Sequence, residues 1–434
     1  MRPSCAACAL DLALAASGAS AQTLTITSVP PYGTLGSITG QVTGVDPATH
    51  HVATYIQIEG SGWWTKPTVE NPTVPIAANG NFSADVGTGG PLSLDSRATI
   101  FCAALLPIGE SPPTVEGLGR IPASLTPLAD DCEERYSRTF SFKGHTLAVK
   151  EAPSPVGPGN NRFSDRLADV FVDAAGLHLR IDSHDGEWWS TELILLASFG
   201  YGTYVVQTDS RNDLLDPQVT FGIFSWDAYG DDDAVPGAAN REIDFEDSRW
   251  GDGLDLTNAQ WVVQPYPVLG NLERYTIPDL SADAALTRFF SWLPGGIQFT
   301  ALQGHHAPCC FPPSALIGHG LYLEDAAANH FVPSEGRERL RLNLWINGGG
   351  QPANGLPAEV LITDISYLPE PTTSWGLLWG IGVLAGLARR RQASVSSAGS
   401  PQRVSKTNSP SGLRARGARS RAPRPSGSRS GAPA

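Results

Sequence analysis

The short segment Glu242-Ile243-Asp244-Phe245-Glu246 places a carboxyl side chain at every second position. Because side chains alternate along a β-strand, the three carboxyls share one face and the two apolar side chains point to the other. Neighbouring carboxylates repel one another, so this row does not stabilise the fold, and its presence indicates a function. A solvated acidic edge or a calcium site are the other interpretations. The large apolar alternates favour an inner strand of a sheet that is covered on one side.

Glycoside hydrolysis is chemistry that such a row can perform. One carboxyl protonates the leaving oxygen, and the other attacks the sugar or activates a water molecule. A third carboxyl between them can hold a shared proton and keep the pKa of the acid partner high. On a flat strand the Cα atoms of Glu242 and Glu246 lie about 13 Å apart. A retaining enzyme needs carboxyl groups about 5–5.5 Å apart, so the strand must curve and the side chains must lean together.

The elements that position this row are predicted to be β-strands throughout. Among 434 residues there are 46 Gly and 35 Pro, only 17% of residues are charged, and no stretch shows a sustained helical period. Residues 136–368 contain about a dozen strand-like segments, which predicts one two-sheet jelly roll. Residues 22–132 predict a separate β-sandwich, in which Val52–Ile58 is a strand and Asn79-Gly80 turns a hairpin.

The row matches the E-x-D-x-E signature of glycoside hydrolase family 16, and residues 136–368 resemble that family. Further segments stand in the order that such domains show: Tyr201-Gly-Thr-Tyr204, Gly222-Ile-Phe-Ser-Trp226, Asn258-Ala-Gln260, Trp292 and Asn343-Leu-Trp345. The resemblance implies a concanavalin A-like β-jelly roll of the unbulged, lichenase-like branch. It also implies Glu242 as nucleophile, Asp244 as assisting carboxylate and Glu246 as general acid/base, with no cofactor and no metal.

Three tryptophans are candidates for stacking on sugar rings, because an aromatic face suits the apolar face of a pyranose. They are Trp226, Trp250 and Trp261, and each of them also suits a place in the core. Trp63-Trp64 in the first module has the same two interpretations.

Four cysteines remain after a leader is removed, and Cys102 and Cys132 are the candidate disulfide because both lie in the first module. The pairing of Cys309 and Cys310 stays open. His305-His306 lies close to them, but the spacing fits no standard zinc site and favours an ordinary insertion loop.

The charges divide unevenly along the chain. Residues 22–388 carry 18 basic and 42 acidic side chains, whereas residues 389–434 carry 11 basic and no acidic ones. A body this acidic repels phosphate backbones, which argues against a nucleic-acid partner.

Both ends contain targeting patterns. Residues 1–21 predict a signal peptide that ends at Ala19-Ser20-Ala21. Residues 369–391 consist of Pro369-Glu-Pro371, then an uncharged apolar span, and then Arg389-Arg-Arg391. They resemble the PEP-CTERM sorting signal. That resemblance implies an exosortase-type processing enzyme and a transient transmembrane anchor; a plain membrane anchor or a buried helix are the alternatives. Residues 392–434 predict a disordered basic tail with no assigned role.

Together these patterns predict an exported retaining endo-glycosidase or transglycosylase at the cell surface or in the extracellular matrix. Its expected partner is a β-linked polysaccharide such as a β-glucan. A lectin-like protein that binds carbohydrate without cleaving it, and a structural matrix protein, are the alternatives.

Overall fold

The computed structural model describes residues 21–87, 94–230 and 239–370. These residues belong to one compact unit that ends at Glu370. Nearly all of the predicted leader, the sorting signal from Pro371 onward and the basic tail lie outside the described residues. No helix within the described part of the chain is long and apolar enough to span a membrane.

The first module is a β-sandwich of two antiparallel sheets. Its strands are β1 (Thr23–Ser28), β2 (Ser37–Thr43), β3 (His50–Ile58), β4 (Gly62–Lys66), β5 (Thr73–Pro75), β6 (Asn81–Asp85), β7 (Ile100–Pro107), β8 (Glu116–Leu118) and β9 (Ala129–Glu134). The smaller sheet has the order β1-β2-β6, and the larger has the order β8-β4-β3-β7-β9 with β5 beside β3. Ile38 and Phe82 of the smaller sheet share one buried cluster with Ile56 and Phe101 of the larger.

The turn at Asn79-Gly80 forms, but the predicted hairpin around it is wrong. Gly80 has a φ of +85° and donates its N–H to Ala77 O at 2.8 Å. The strand before the turn, β5, pairs with β3, whereas the strand after it, β6, pairs with β2. The turn therefore carries the chain from one sheet of the sandwich to the other.

A disulfide joins Cys102 on β7 to Cys132 on β9. The two residues are direct partners in the antiparallel register of these strands. The bond therefore staples the last strand of the first module to its larger sheet.

The second part of the unit is a jelly roll with more strands than the dozen predicted. They are β10 (Arg138–Phe142), β11 (His145–Val149), β12 (Ala152–Val156), β13 (Asn161–Phe163), β14 (Val170–Val172), β15 (Leu177–His184), β16 (Glu187–Leu195), β17 (Gly202–Asp209), β18 (Val219–Trp226), β19 (Ile243–Asp247), β20 (Ala259–Val263), β21 (Leu272–Tyr275), β22 (Ala285–Leu293), β23 (Gly296–Gln303), β24 (Leu316–Leu323), β25 (Arg339–Ile346) and β26 (Ala358–Pro369). Helical residues in the described chain are confined to 3₁₀ turns at Pro47–Thr49, Leu94–Arg97, Asn212–Leu214, Ala239–Arg241, Pro313–Ala315 and Ala326–Ala328. The predicted all-β class is confirmed.

The strand pairings define two layers. The front sheet runs β11-β16-β25-β18-β19-β20-β21, and the back sheet runs β14-β15-β26-β17-β22-β23-β24. The core lies between them. Phe245 and Trp261 of the front sheet pack on Phe299 of the back sheet, with ring centroids 5.3 and 4.7 Å apart. The other face of the front sheet is free to carry polar side chains.

Candidate active site

The three carboxyls lie together on the polar face of the front sheet. Glu242 immediately precedes β19, and Asp244 and Glu246 lie on it. The alternate residues Ile243 and Phe245 are buried in the core between the sheets, as strand alternation requires. Asp244 is only 3% exposed, whereas Glu242 and Glu246 are half-buried at the wall of a cavity. The structure therefore brings the predicted carboxyl row together at one site.

Glu246 belongs to a row of polar partners that crosses six strands. The register aligns Glu192, Asn343, Gly222, Glu246, Gln260 and Arg274 on consecutive strands from β16 to β21. Gly222 is needed here, because a Cβ at this position would lie 2.4 Å from Asn343 Oδ1. The glycine leaves room beside Glu246 for the amide of Asn343.

Gln260 is oriented so that its amide nitrogen points at Glu246. Gln260 Nε2 donates to Glu246 Oε2 at 2.7 Å. Gln260 Oε1 accepts from Trp250 Nε1 at 3.0 Å and from Arg274 Nη1 at 3.1 Å. Arg274 is itself held by Asp255 at 2.6 Å. Because the oxygen of Gln260 is occupied by two donors, its nitrogen is left to stabilise the charge of Glu246.

The carboxyl row holds protons at neutral pH. Burial, and then the charge of Glu246, raise the pKa of Glu242 to about 8. Burial raises the pKa of Glu246 to about 7, against the opposing effect of the hydrogen bond from Gln260. Burial and the two neighbouring glutamates raise the pKa of Asp244 well above its usual range, and Asp244 shares a hydrogen bond with Glu242. The carboxyl row therefore keeps protons into the neutral pH range.

The carboxyl of Asp247, next along the strand, does not join this set. Its side chain points to the core face, where it pairs with Arg288 and accepts from Asn212 Nδ2 at 2.7 Å. Both members of the ion pair are almost fully buried. Asp247 therefore helps to hold the two sheets together, and its charge contributes, after burial, to the raised pKa of Glu246.

A cavity of about 440 Å³ opens over the carboxyl row. Its lining combines the polar face of the front sheet with residues of the first module. On the jelly-roll side these include Lys150, Glu192, Gly222, Trp226, Glu242, Asp244, Glu246, Arg341, Asn343 and Trp345. On the module side they include Gln57, Glu59, Gly60, Ser61, Gly62, Gly117 and Gly119. The site is therefore built by both parts of the unit.

Four buried charges line the cavity beside the row. Glu192 contacts Lys150 Nζ and Arg341 Nη1, each at 3.0 Å. Arg341 Nη1 also contacts Glu59 Oε2, which belongs to the first module, at 2.8 Å. Two cations and two anions balance, so the desolvation cost of each charge is offset by a partner.

The predicted tryptophans separate onto different faces. Trp226 lines the cavity. Trp250 contacts Trp345 edge to face, with ring centroids 5.8 Å apart, and bonds to Gln260. Trp261 instead pairs in register with Phe245 and is a core residue stacked on Phe299. This placement corrects the expectation that Trp261 stacks on a sugar, because its position alternates with Gln260 and faces the other way.

Several residues of the site were given no functional role from the sequence, although Asn343 and Trp345 belong to a segment that supports the family resemblance. For Arg341, Asn343 and Trp345 a signal was present, since the strand Arg339–Ile346 alternates polar or aromatic side chains with leucine. Glu192 and Lys150 lie in segments that read as apolar strands. No sequence pattern indicated a role for Glu59, because that role depends on packing against a residue almost three hundred positions away in the chain.

The side chains of His305, His306 and the two cysteines that follow contact backbone carbonyls or each other. No group of three or more His, Cys, Asp or Glu side chains suited to a metal ion occurs in the described part of the chain. His305 and His306 contact the backbone carbonyls of Thr208 and Gln303. Cys309 and Cys310 are exposed free thiols with their sulfur atoms 2.7 Å apart.

Comparison with known proteins gives structural neighbours only. No family model and no curated protein matches the chain. Its structural neighbours include a protein of Mycobacterium tuberculosis that is described as an immunostimulatory antigen and pseudo β-1,3-glucanase. The two sequences are 21% identical, the match covers 52% of this chain and 91% of that chain, and the TM-score is 0.39. A glycoside hydrolase family 16 endo-glucanase from Bacteroides ovatus has 12% identity and a TM-score of 0.36, and the match covers 51% of this chain and 94% of that chain. A laminarinase from a Flavobacterium species has 12% identity and a TM-score of 0.37, and the match covers 51% of this chain and 92% of that chain.

Proposed function

We propose that this protein is a retaining glycosidase or transglycosylase that acts on a β-linked polysaccharide such as a β-glucan. The observation that carries the proposal is the carboxyl row: Glu242, Asp244 and Glu246 share one strand face and line one cavity. Their pKa values are all raised, chiefly by burial. Raised carboxyl pKa values in a cleft are what acid catalysis at neutral pH requires.

The proposed reaction has two steps. In the first, Glu242 attacks the anomeric carbon while Glu246 gives its proton to the leaving oxygen, and a covalent glycosyl–enzyme forms. In the second, Glu246 takes a proton from water, or from an acceptor sugar hydroxyl, whose oxygen displaces Glu242. Glu246 supplies the proton of the first step, and the proton that Asp244 shares with Glu242 stays on Asp244 while Glu242 attacks. Gln260 stabilises the negative charge that Glu246 acquires in the first step.

The cavity offers both kinds of contact that a sugar ring needs. Trp226 and Trp345 supply aromatic surface for the apolar face of the ring. Asn343 Oδ1 is buried and has no hydrogen-bond partner among the described residues, so it can accept a bond from a sugar hydroxyl. A site with aromatic walls and a few convergent polar groups is typical of small-ligand and oligosaccharide binding.

The same proposal places the enzyme outside the cytoplasm. The leader and the sorting signal support export, processing by an exosortase-type enzyme and a transient membrane anchor. The Cys102–Cys132 disulfide suits an oxidising compartment. The final location is then the cell surface or the extracellular matrix.

The test is release of reducing ends by the chain purified from Gln22 onward. The panel is β-1,3-, β-1,4- and mixed-linkage glucans, xyloglucan, agar and carrageenan. We expect activity on at least one of them, and its loss in Glu242→Gln while that variant still unfolds in one cooperative transition. Glu273→Gln on β21, an exposed glutamate, is the matched control and should keep full activity. No turnover, together with unchanged retention on polysaccharide columns by wild type and Glu242→Gln, would instead indicate a carbohydrate-binding protein.

A further inference from the structure

The tip of one hairpin of the first module enters the cavity over the carboxyl row. Strands β3 and β4 are joined by Glu59-Gly60-Ser61, and all three residues line the same cavity as Glu242 and Glu246. The neighbouring strand β8, which pairs with β4, contributes Gly117 to the same wall. A Cβ on Gly60 would lie 2.6 Å from Val156, so the tip is packed closely against the jelly roll.

The hairpin is anchored at its tip by charge. Glu59 Oε2 lies 2.8 Å from Arg341 Nη1, and their side chains are only 5% and 4% exposed. Arg341 also binds Glu192, which is 2% exposed. A buried carboxylate is stable only with such partners. Glu59 therefore serves as a fixed part of the jelly-roll site although it belongs to the first module.

The base of the hairpin is anchored by packing. Trp63 on β4 is fully buried and donates its Nε1–H to Ala228 O at 2.8 Å. Ala228 follows Trp226, and the rings of Tyr229 and Trp63 lie 5.9 Å apart. Tyr229 also donates to Glu134 of β9 at 2.7 Å. The segment after β18 is thus inserted into the first module and holds the hairpin in place.

The hairpin covers only one end of the polar row. Its partners Glu192 and Arg341 lie on β16 and β25, on one side of β19. Gln260 and Arg274, on β20 and β21, lie on the other side of Glu246. The cavity lining contributed by the front sheet comes from β16, β25, β18, β19 and Glu242 beside it. A glycan that crosses the strands along this row therefore meets a wall of buried charges at the β16 end.

We infer that the β3–β4 hairpin closes the substrate cleft at the β16 end, so that the enzyme binds the end of a β-glycan chain. This inference rests on the proposed function and changes the internal cleavage expected from the sequence. The charged groups of Lys150, Glu59 and Arg341 suit the free hydroxyls of a terminal sugar, which an internal sugar would not present there. Cleavage then releases a short product whose length is set by the distance from Glu242 and Glu246 to the wall.

The test compares viscosity with reducing ends during digestion of the soluble β-glucan that the enzyme cleaves best. For the wild type we expect reducing ends to rise while viscosity stays nearly constant, with one short oligosaccharide dominant from the first time point. An early collapse of viscosity with a mixture of product lengths would overturn the inference and leave the proposed function standing. Absence of cleavage of both polymer and short oligosaccharides would instead overturn the proposed function and the inference with it.

Two variants of the full chain test the wall directly. Glu59→Ser shortens the tip, and we expect the dominant product to lengthen by at least one sugar residue. Ser61→Trp fills the closed end, and we expect a shorter product or at least a tenfold rise in KM. Glu110→Ser, an exposed glutamate of the same module, should leave the product pattern unchanged. Folded variants of both tip residues that keep the wild-type product would overturn the inference.

Discussion

The side-chain amide of Gln260 donates a 2.7 Å hydrogen bond to Glu246 Oε2. The amide cannot easily turn over, because Trp250 and Arg274 both donate to its oxygen. The negative charge of Glu246 thus has a short hydrogen bond from a donor that is held in one orientation. In the proposed reaction Glu246 is the group that changes from acid to anion during attack on the sugar.

The first prediction concerns the pH dependence of activity. The first step needs a proton on Glu246, whose pKa is raised to about 7, so Glu246 can act as an acid up to about neutral pH. We therefore expect kcat/KM to fall as the pH rises above about 7, where Glu246 loses its proton. Initial rates from pH 4 to pH 10 measure it. A maximum near pH 4 to 5 would show that the row is not desolvated as described.

The second prediction is that Gln260→Leu moves this profile to higher pH. The hydrogen bond from Gln260 lowers the pKa of Glu246, so its removal lets that pKa rise. The maximal rate should fall about tenfold or more, since a hydrogen bond to a charged group is worth about 1.5–3 kcal/mol. The same pH series measures both effects. Gln298→Leu on β23 is the control, and an unshifted profile in Gln260→Leu would contradict the assigned role.

The third prediction is that Glu242→Gln stabilises the fold at alkaline pH. The folded-state pKa of Glu242, about 8, lies above its usual value of 4.5, so the folded state binds this proton more tightly. Its stabilising contribution is present below pH 4.5 and is lost as the pH rises through about 8. Glutamine has no charge to bury, so the melting temperature of the variant should exceed that of the wild type by a few degrees at pH 8.5.

Thermal unfolding at pH 4.5, 6.5 and 8.5 checks this trend. The gain in melting temperature should be smallest at pH 4.5, where the glutamate is protonated in the folded state and half protonated in the unfolded state. Glu273→Gln, an exposed change on β21, should show no such trend. A variant that is less stable than the wild type at pH 8.5 would contradict the raised pKa of Glu242.

The fourth prediction separates two tryptophans by the face of the sheet on which they lie. Trp226→Ala removes a wall of the cavity, so KM should rise about tenfold or more. Trp261→Ala empties a place in the core beside Phe299, so the free energy of unfolding should fall by about 3–5 kcal/mol. Kinetics and chemical denaturation on both variants measure the contrast. Equal effects of the two changes on stability and KM would contradict the placement.

The fifth prediction concerns the disulfide of the first module. The bond joins cysteines 30 residues apart, and a loop of this size corresponds to about 3–4 kcal/mol of stability. The double variant Cys102→Ser, Cys132→Ser should therefore unfold at a lower denaturant concentration. Ser replacement of the exposed Cys309 is the control. A double variant as stable as the wild type would show that the packing of β7 on β9 already holds this edge.

Strand alternation explains which parts of the site were predictable. The period of two placed Glu242, Asp244 and Glu246 together before any register was known. The same rule says that Gln260 and Trp261 face opposite ways, but the choice of face depends on pairing with Glu246 and Phe245. A local sequence pattern shows which side chains of a strand share a face, whereas the register between strands is known only from the assembled sheet.

Long-range packing explains what was missed. The turn at Asn79-Gly80 is encoded locally, yet the sheets that its strands join are decided by distant partners. The contact of Glu59 with Arg341 spans both modules and leaves no local trace in either segment. If the chain is divided into an accessory module and a catalytic domain, the contribution of the first module to the cleft of the jelly roll is therefore overlooked.

The nucleophilic role of Glu242 can be tested by mass spectrometry of the enzyme after incubation with a 2-deoxy-2-fluoro glycoside of an oligosaccharide that it cleaves. This probe slows the second step and lets the glycosyl–enzyme accumulate. We expect one added glycosyl group per chain, located by peptide digestion on Glu242, and none in Glu242→Gln. An adduct on a residue outside the carboxyl row, or cleavage with inverted configuration and no adduct, would contradict it.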